Sequence, residues 1–379
     1  MDLETLEVGY DIPARPGQRV VEVLTPALII DLDRFERNLG RMRNFIARHG
    51  LRLRAHAKTH KSADIALRQI VEGGACGICC QKVSEAEAFV RAGITDILVS
   101  NEVRGDARAD RLAWLAAKAR IIVCVDDIRS VGELSLAAQR HGSTLEVLVE
   151  IDCGAHRCGV APGAAAVDLA CAVNEAPALR FEGLQAYQGS LQHIEAPVER
   201  RRNAETAAQA TRTTVEMLAA AGMECRTVGG AGTGSFAMDA ELGVINELQC
   251  GSYIFMDAHY DRVKEDGGGK PGGMENALFV MAGVMSTAIP GRPVCDAGLK
   301  ALAVDSGLPR VDRAEIRYVR ATDEHGVLDD PERVLDVGDR LLLVPGHCDP
   351  TCNLHDWYVA VRGERVEAIW PVTARGKLF

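Results

Sequence analysis

The chain has 379 residues, 47% of them hydrophobic and 25% charged, which suits a globular protein with a large barrel-sized domain and a smaller partner. Its 43 basic and 53 acidic residues leave a formal net charge of −10, which excludes the basic footprint that grips nucleic acid or an anionic membrane. No apolar run reaches membrane-spanning length, and the opening MDLETLEVGYD has neither a basic n-region nor an apolar core, so a cytoplasmic protein is expected.

The first 24 residues carry turn formers (Pro13, Pro16, Gly17) and read as peripheral. Ala27–Asp31 reads as a strand, and 34–49 as a helix with Phe35, Leu39, Met42 and Ile46 on one face, ended by Gly50. Next comes LRLRAHAKTHKS (51–62). Its alternation predicts a strand with Leu53, Ala55 and Ala57 on one face and Arg54, His56 and Lys58 on the other. A lysine leaving a strand suits covalent chemistry if desolvation and the cations around it (His56, His60, Lys61) lower its pKa. Composition alone reads the same stretch as a basic, solvated strand end.

Strand-like segments then recur at 53–58, 77–81, 96–100, 120–125, 146–151, 181–188, 226–230 and 248–256, separated by Ala-rich helical segments. Eight such units predict an α/β protein with a (β/α)8 TIM barrel; an open doubly wound sheet gives no reason for eight. The strands end in Lys58, Gln81, Asn101, Asp126, Asp152 and Tyr187, then Gly229–Ser235 and Gly251–Tyr253, a one-sided polar distribution expected of a barrel enzyme. Twelve scattered cysteines read as reduced thiols. In ACGICC, Cys79 and Cys80 should face opposite sides of a strand and cannot share a zinc ion.

The loop Gly229-Gly230-Ala231-Gly232-Thr233-Gly234-Ser235 follows the seventh strand, where barrels commonly bind phosphate, and Gly251-Ser252-Tyr253 could complete the cradle. It lacks the Gly-Lys-Ser/Thr ending of a nucleotide-triphosphate loop. Beyond Glu265 a Gly-rich linker leads into short β-like runs, so the barrel is placed at 27–265 and an antiparallel β-domain at 266–379. That domain holds PGHCDPTCNLHD (345–356). Pro345 and Pro350 argue against a helix, and an extended segment would aim His347 and Asp349 the same way and Cys348 the other. Such a pair suits Mn2+, Mg2+ or Co2+, with zinc possible; a Cys348-x3-Cys352 zinc site is the weaker rival.

HAKTHKS, GICCQKVSEAEAF and the C-terminal VPGHCDPTCNLHDWYVAVRG…WPVTARGK resemble the pyridoxal-phosphate enzymes of the alanine-racemase type. More narrowly, they resemble the family of D-threonine aldolases, D-serine dehydratases and 3-hydroxy-D-aspartate aldolases. The resemblance runs from about Thr25 to the C-terminus, and the opening VGYDIPARPG shares it with the bacterial hydroxyaspartate aldolases. It implies that Lys58, not Lys61, carries pyridoxal phosphate covalently. It also implies that Gln81, Arg157 and Tyr187 contact the cofactor, that Gly230, Gly232, Thr233, Gly234, Gly251, Ser252 and Tyr253 hold its phosphate, and that residues 1–26 complete the β-domain. In the family, dehydratases carry His-x-Cys as metal ligands and aldolases His-x-Asp; this chain has His347-x-Asp349.

The activity implied is retro-aldol cleavage of a 3-hydroxy-D-amino acid, first 3-hydroxy-D-aspartate to glycine and glyoxylate. D-Threonine is the alternative substrate and dehydration a third possibility. A divalent metal would acidify the β-hydroxyl, with a metal-bound water taking its proton, or His347 if it is not fully occupied as a ligand. His193, Lys300 and His325 are candidate partners for the substrate's second carboxylate. A non-catalytic cofactor carrier would resemble the barrel alone. A homodimer is implied, with no nucleic acid or membrane partner.

Overall fold

The computed structural model describes residues 3–379. The eight strand–helix units close into a parallel barrel in sequence order: β2 (Arg52–His56), β3 (Gly77–Cys80), β4 (Asp96–Glu102), β5 (Arg120–Val125), β6 (Leu145–Glu150), β7 (Leu179–Ala186), β8 (Thr227–Gly230) and β9 (Glu247–Leu248). Register Leu53↔Leu248 joins the last strand to the first. Alternation sorts the side chains: Cys79, Leu98, Ile122, Cys124 and Leu148 fill the barrel, while Ile78, Cys80, Ile97, Val99 and Val123 pack in the layer under the helices. Cys79 and Cys80 thus face opposite ways, and all twelve cysteines are free.

At the N-terminal ends of the strands an ion network closes the floor. Arg54, 1% exposed, reaches Glu247 at 2.9 Å and Asp96 at 2.5 Å, and Arg120 links Asp96 to Glu146. The opposite, C-terminal end stays open for chemistry.

Two elements differ from expectation. The strand Ala27–Asp31 (β1), expected with the barrel, lies in the second sheet, antiparallel to β10 (Leu278–Ser286) and parallel to Trp357–Arg362. ALIID is buried on both sides: Ile29 packs in a cluster with Phe279 and Val359, while Leu28 and Ile30 face the main core. Such a strand needs cover on both faces. Its Asp31 side chain accepts from Arg34 N–H and caps the helix Leu32–His49, which Gly50 ends at φ 64° as predicted. Among the described residues the second sheet has nine strands and is antiparallel except for that one pairing. Residues 17–20 bond to its last strand and the turn before it, Gly17 N–H to Val366 O and Val20 N–H to Glu364 O.

The eighth barrel strand, expected over 248–256, is only Glu247–Leu248, followed by a 3-10 turn at Ser252–Ile254. The chain leaves the barrel wall where Gly251 passes so close to the lysine loop that a Cβ would lie 2.5 Å from Thr59 Oγ1. Among the described residues no helix is long and apolar enough to cross a membrane.

Candidate active site

A cavity of about 260 Å3 opens at the C-terminal end of the barrel, against the second sheet. Lys58, just past β2, projects into it with 39% of its side chain exposed, and its Nζ lies 3.9 Å from Asp349 Oδ2. Lys61 turns away at φ 51° and pairs with buried Glu85 at 3.1 Å. Glu85 also accepts the Gln81 and Lys82 N–H groups.

The expected lowering of the Lys58 pKa by neighbouring cations is not what the structure provides. Burial does pull it down, but Asp349 and Tyr187 outweigh burial and leave the ammonium above its usual range. The neighbouring histidines are no cations: burial holds His56 well below its ordinary pKa and lowers His60 to about 4. His56 Nε2 instead meets the Gln81 amide at 3.0 Å and Ser100 Oγ at 3.2 Å.

Arg157 lies over the Tyr187 ring, 5.7 Å from its centroid, and 3.7 Å from Glu150; both Arg157 and Tyr187 line the cavity. Asn101, Asp126 and Asp152 do not. Their side chains bond to Gln81 O, Gly159 N–H, and the Gly154 and His156 N–H groups, which shapes the loops beside the cavity.

The phosphate expectation meets a specific geometry. Gly232, Thr233, Gly251, Ser252 and Thr59 are among the residues lining the cavity. The hydroxyls of Thr59 and Thr233 are buried there without a hydrogen-bond partner. Buried hydroxyls normally have partners, so two orphans beside a close-packed glycine fit a phosphate that supplies acceptor oxygens. Three residues expected in the cradle do not line the cavity. Gly230 ends β8 within the barrel wall, and the N–H of Gly234 is taken by Gln192 Oε1 at 2.9 Å. Tyr253 is fully buried, its hydroxyl held by the Gln69 amide at 3.2 Å. Ser235 is likewise committed, donating to Asp239 Oδ2 at 2.7 Å and accepting from Gln192 Nε2 at 2.9 Å.

His347 and Asp349 line the same cavity, where Ser252 Oγ donates to Asp349 Oδ1 at 3.3 Å. Their segment is not extended: Cys348–Cys352 is a short helix with His347 at its N-cap. Pro350 is tolerated because the first turn of a helix needs no N–H donor. Cys348 and Cys352 are fully buried, and burial pushes both thiols up, so a paired-thiolate zinc site does not fit. The Cys348 N–H donates to Asp257 Oδ2 at 2.9 Å. An imidazole and a carboxylate on one cavity wall fit a divalent ion that takes nitrogen and oxygen donors. His355 is used structurally, its Nε2 bonded to Ala301 O at 2.7 Å.

Of the three candidate partners for a second carboxylate, only His193 lines the cavity. Lys300 is exposed and paired with Glu324 at 2.5 Å, and His325 sits in an exposed turn. His193 stacks on His259 at 4.1 Å, and its pKa is lowered to about 4 by burial, then by His259 and His347. Sequence reasoning missed Thr59, Ser100, Gln185, Gln249 and Tyr260 in the lining. Gln185 and Gln249 exchange amide bonds at 2.7 and 2.9 Å. A glutamine inside the apolar runs GLQA and LQCG is the signal that could have found them.

The family model of the alanine racemase N-terminal domain matches residues 30–259, and that of a serine dehydratase domain matches 277–361. The 3-hydroxy-D-aspartate aldolase of Paracoccus denitrificans (strain Pd 1222) is 52% identical over 99% of this chain and 98% of its own. The D-threonine aldolase of an Arthrobacter species is 46% identical over 96% of each chain. The crystal structure of D-threonine aldolase from Filomicrobium marinum superposes with a TM-score of 0.94 at 52% identity, covering 97% of this chain and 100% of that one.

Proposed function

Because the chain belongs to the family that 3-hydroxy-D-aspartate aldolase and D-threonine aldolase share, we propose that it cleaves 3-hydroxy-D-aspartate to glycine and glyoxylate, using pyridoxal phosphate and a divalent metal. The observation that carries this reading is the meeting of Lys58 and Asp349 across one cavity, 3.9 Å apart, with His347 on the same wall. When bound, pyridoxal phosphate supplies a sink for the electron pair of the broken Cα–Cβ bond, and a divalent ion supplies a Lewis acid for the β-hydroxyl.

The chain's residues divide the remaining work. Lys58 provides the amine for covalent attachment, and Thr59 and Thr233 turn their orphaned hydroxyls to the phosphate. Arg157 and Tyr187, which line the cavity from the loops after β6 and β7, would contact the cofactor ring. His347 and Asp349 hold Mg2+, Mn2+ or Co2+ by nitrogen and oxygen donors, with Zn2+ also compatible with that pair. The β-hydroxyl proton leaves to water, or to His347 only if that ring is not fully occupied as a ligand; the Cα–Cβ electrons pass to Cα, and Cα takes up a proton from water to give glycine. The reading includes a homodimer and a reducing compartment such as the cytoplasm, in keeping with twelve free cysteines.

One observation favours the alternative substrate, D-threonine. A second carboxylate needs a partner, and of the three candidates the one that lines the cavity, His193, is held neutral by burial, so it offers a hydrogen bond but no counter-charge. Incubation with 3-hydroxy-D-aspartate, D-threonine and D-serine, each with and without EDTA, tests the proposal. Glyoxylate and glycine from the first substrate support it. Keto acid and ammonia as products would reassign the chain to dehydration.

A further inference from the structure

His347 has 27% of its side chain exposed, and its Nδ1 lies 2.7 Å from Asp305 Oδ2. Ser306 Oγ donates to the same carboxylate oxygen at 3.1 Å and stands 3.4 Å from Nδ1. A carboxylate oxygen only accepts, so the proton between the two groups belongs to Nδ1 and the lone pair of the neutral ring is on Nε2.

The segment that carries Asp305 is stapled to the histidine's own turn. Ala303 N–H donates to Thr351 Oγ1 at 3.1 Å, and Thr351 Oγ1 donates to His347 O at 2.7 Å. A Cβ on Gly346 would overlap the Gly307 carbonyl oxygen, so the two backbones approach as closely as glycine permits. The Asp305–His347 contact is therefore built from both sides.

We infer that Asp305 is a positioning residue: it fixes His347 as the Nδ1–H tautomer and aims Nε2 at the ion that Asp349 shares. The inference rests on the metal-dependent reading above. Outer carboxylates on ligating histidines orient the ring and raise its basicity, and their loss costs about 10–100-fold in metal affinity.

The test is Mn2+ titration of chelator-treated holoenzyme, with free Mn2+ followed by electron paramagnetic resonance. Asp305→Ala should weaken Mn2+ binding about 10–100-fold, leave the cofactor's visible absorbance unchanged, and regain wild-type kcat at saturating Mn2+. Asp305→Asn keeps an oxygen that accepts from Nδ1–H and should fall between the two. Wild-type affinity in Asp305→Ala, with the ion lost in His347→Ala, overturns the inference and leaves the metal reading standing. Loss in Asp305→Ala as complete as in His347→Ala, with no recovery at high Mn2+, also overturns it, because Asp305 would then be a ligand. Wild-type binding in His347→Ala would instead sink the metal reading itself.

Discussion

Lys58 Nζ and Asp349 Oδ2 lie 3.9 Å apart, although one follows a barrel strand and the other lies in a short helix between strands of the second sheet. The ion pair makes the cavity a joint product of both units. It also ties the charge of the covalent lysine to the carboxylate assigned to the metal.

Lys58→Ala should abolish both activity and the cofactor's visible absorbance, whereas Lys61→Ala should keep the absorbance. Lys61→Ala leaves Glu85, 2% exposed, without the ammonium at 3.1 Å. It should cost about 3 kcal/mol in denaturant unfolding, the low end for a broken buried pair, because two backbone N–H donors stay on Glu85. Borohydride reduction and peptide mapping decide the attachment point. A label on Lys61 would show that the wrong lysine was chosen.

EDTA should remove activity without removing bound cofactor, since the covalent attachment to Lys58 and the hydroxyls of Thr59 and Thr233 do not depend on the ion assigned to His347 and Asp349. His347→Ala and Asp349→Ala should both lose the ion. Cys348→Ala should keep it, because that thiol is buried behind Asp349, 3.4 Å from Oδ1. Metal content measured after dialysis checks this, and loss in Cys348→Ala with retention in Asp349→Ala would refute the assignment.

Thr233→Val should act with opposite signs on two quantities. In the cofactor-free protein it removes a buried hydroxyl without a partner, worth about 1–3 kcal/mol, and should raise the melting temperature. In cofactor titration it should weaken affinity by about tenfold, because one donor to the phosphate is gone. A variant with weaker binding and a lower melting temperature would mean that the hydroxyl is structural.

Selectivity should depend on His193 alone among the three basic candidates. His193→Ala should raise KM for 3-hydroxy-D-aspartate about tenfold more than for D-threonine, the worth of one charge-assisted hydrogen bond to the second carboxylate. Lys300→Ala and His325→Ala should leave that ratio unchanged, as both side chains are exposed outside the cavity. Equal losses on both substrates in His193→Ala would assign selectivity to cavity shape or to the metal.

Asp239 predicts a pH effect on stability. Burial pushes its carboxyl up to about 6, against 3.8 in the ordinary range, with the Ser235 hydrogen bond pulling the other way. A folded pKa above the unfolded one means that the folded state binds the proton more tightly. The contribution is therefore fully present below about pH 4 and lost as pH rises through 6. Asp239→Asn keeps an acceptor for Ser235 without the charge, so its melting temperature relative to wild type should climb between pH 4 and 7. A constant difference across that range would contradict the shift.

Several features were legible in the chain alone because they rest on short-range patterns. Periodicity of two and of 3.6 set the eight strand–helix units, Gly50 marked the end of its helix, and HAKTHK singled out a lysine at a strand end. Alternation placed Cys79 and Cys80 on opposite faces before any fold was known.

What only the tertiary structure decided depends on contacts between distant segments. Ala27–Asp31 reads as a strand by itself, but its sheet was decided by the strands that pair with it on either side, whose Phe279 and Val359 flank Ile29 in one cluster. The eighth strand stopped at Leu248 because Gly251 had to pass beside Thr59. His347 and Asp349 reached the cavity through the N-cap and first turn of a short helix, not through strand alternation. Lys58 took its charge from Asp349 rather than from the basic residues next to it, since burial neutralises the histidines and Glu85 engages Lys61. Electrostatic environment is a property of position in space, and local sequence specifies it only after the chain has folded.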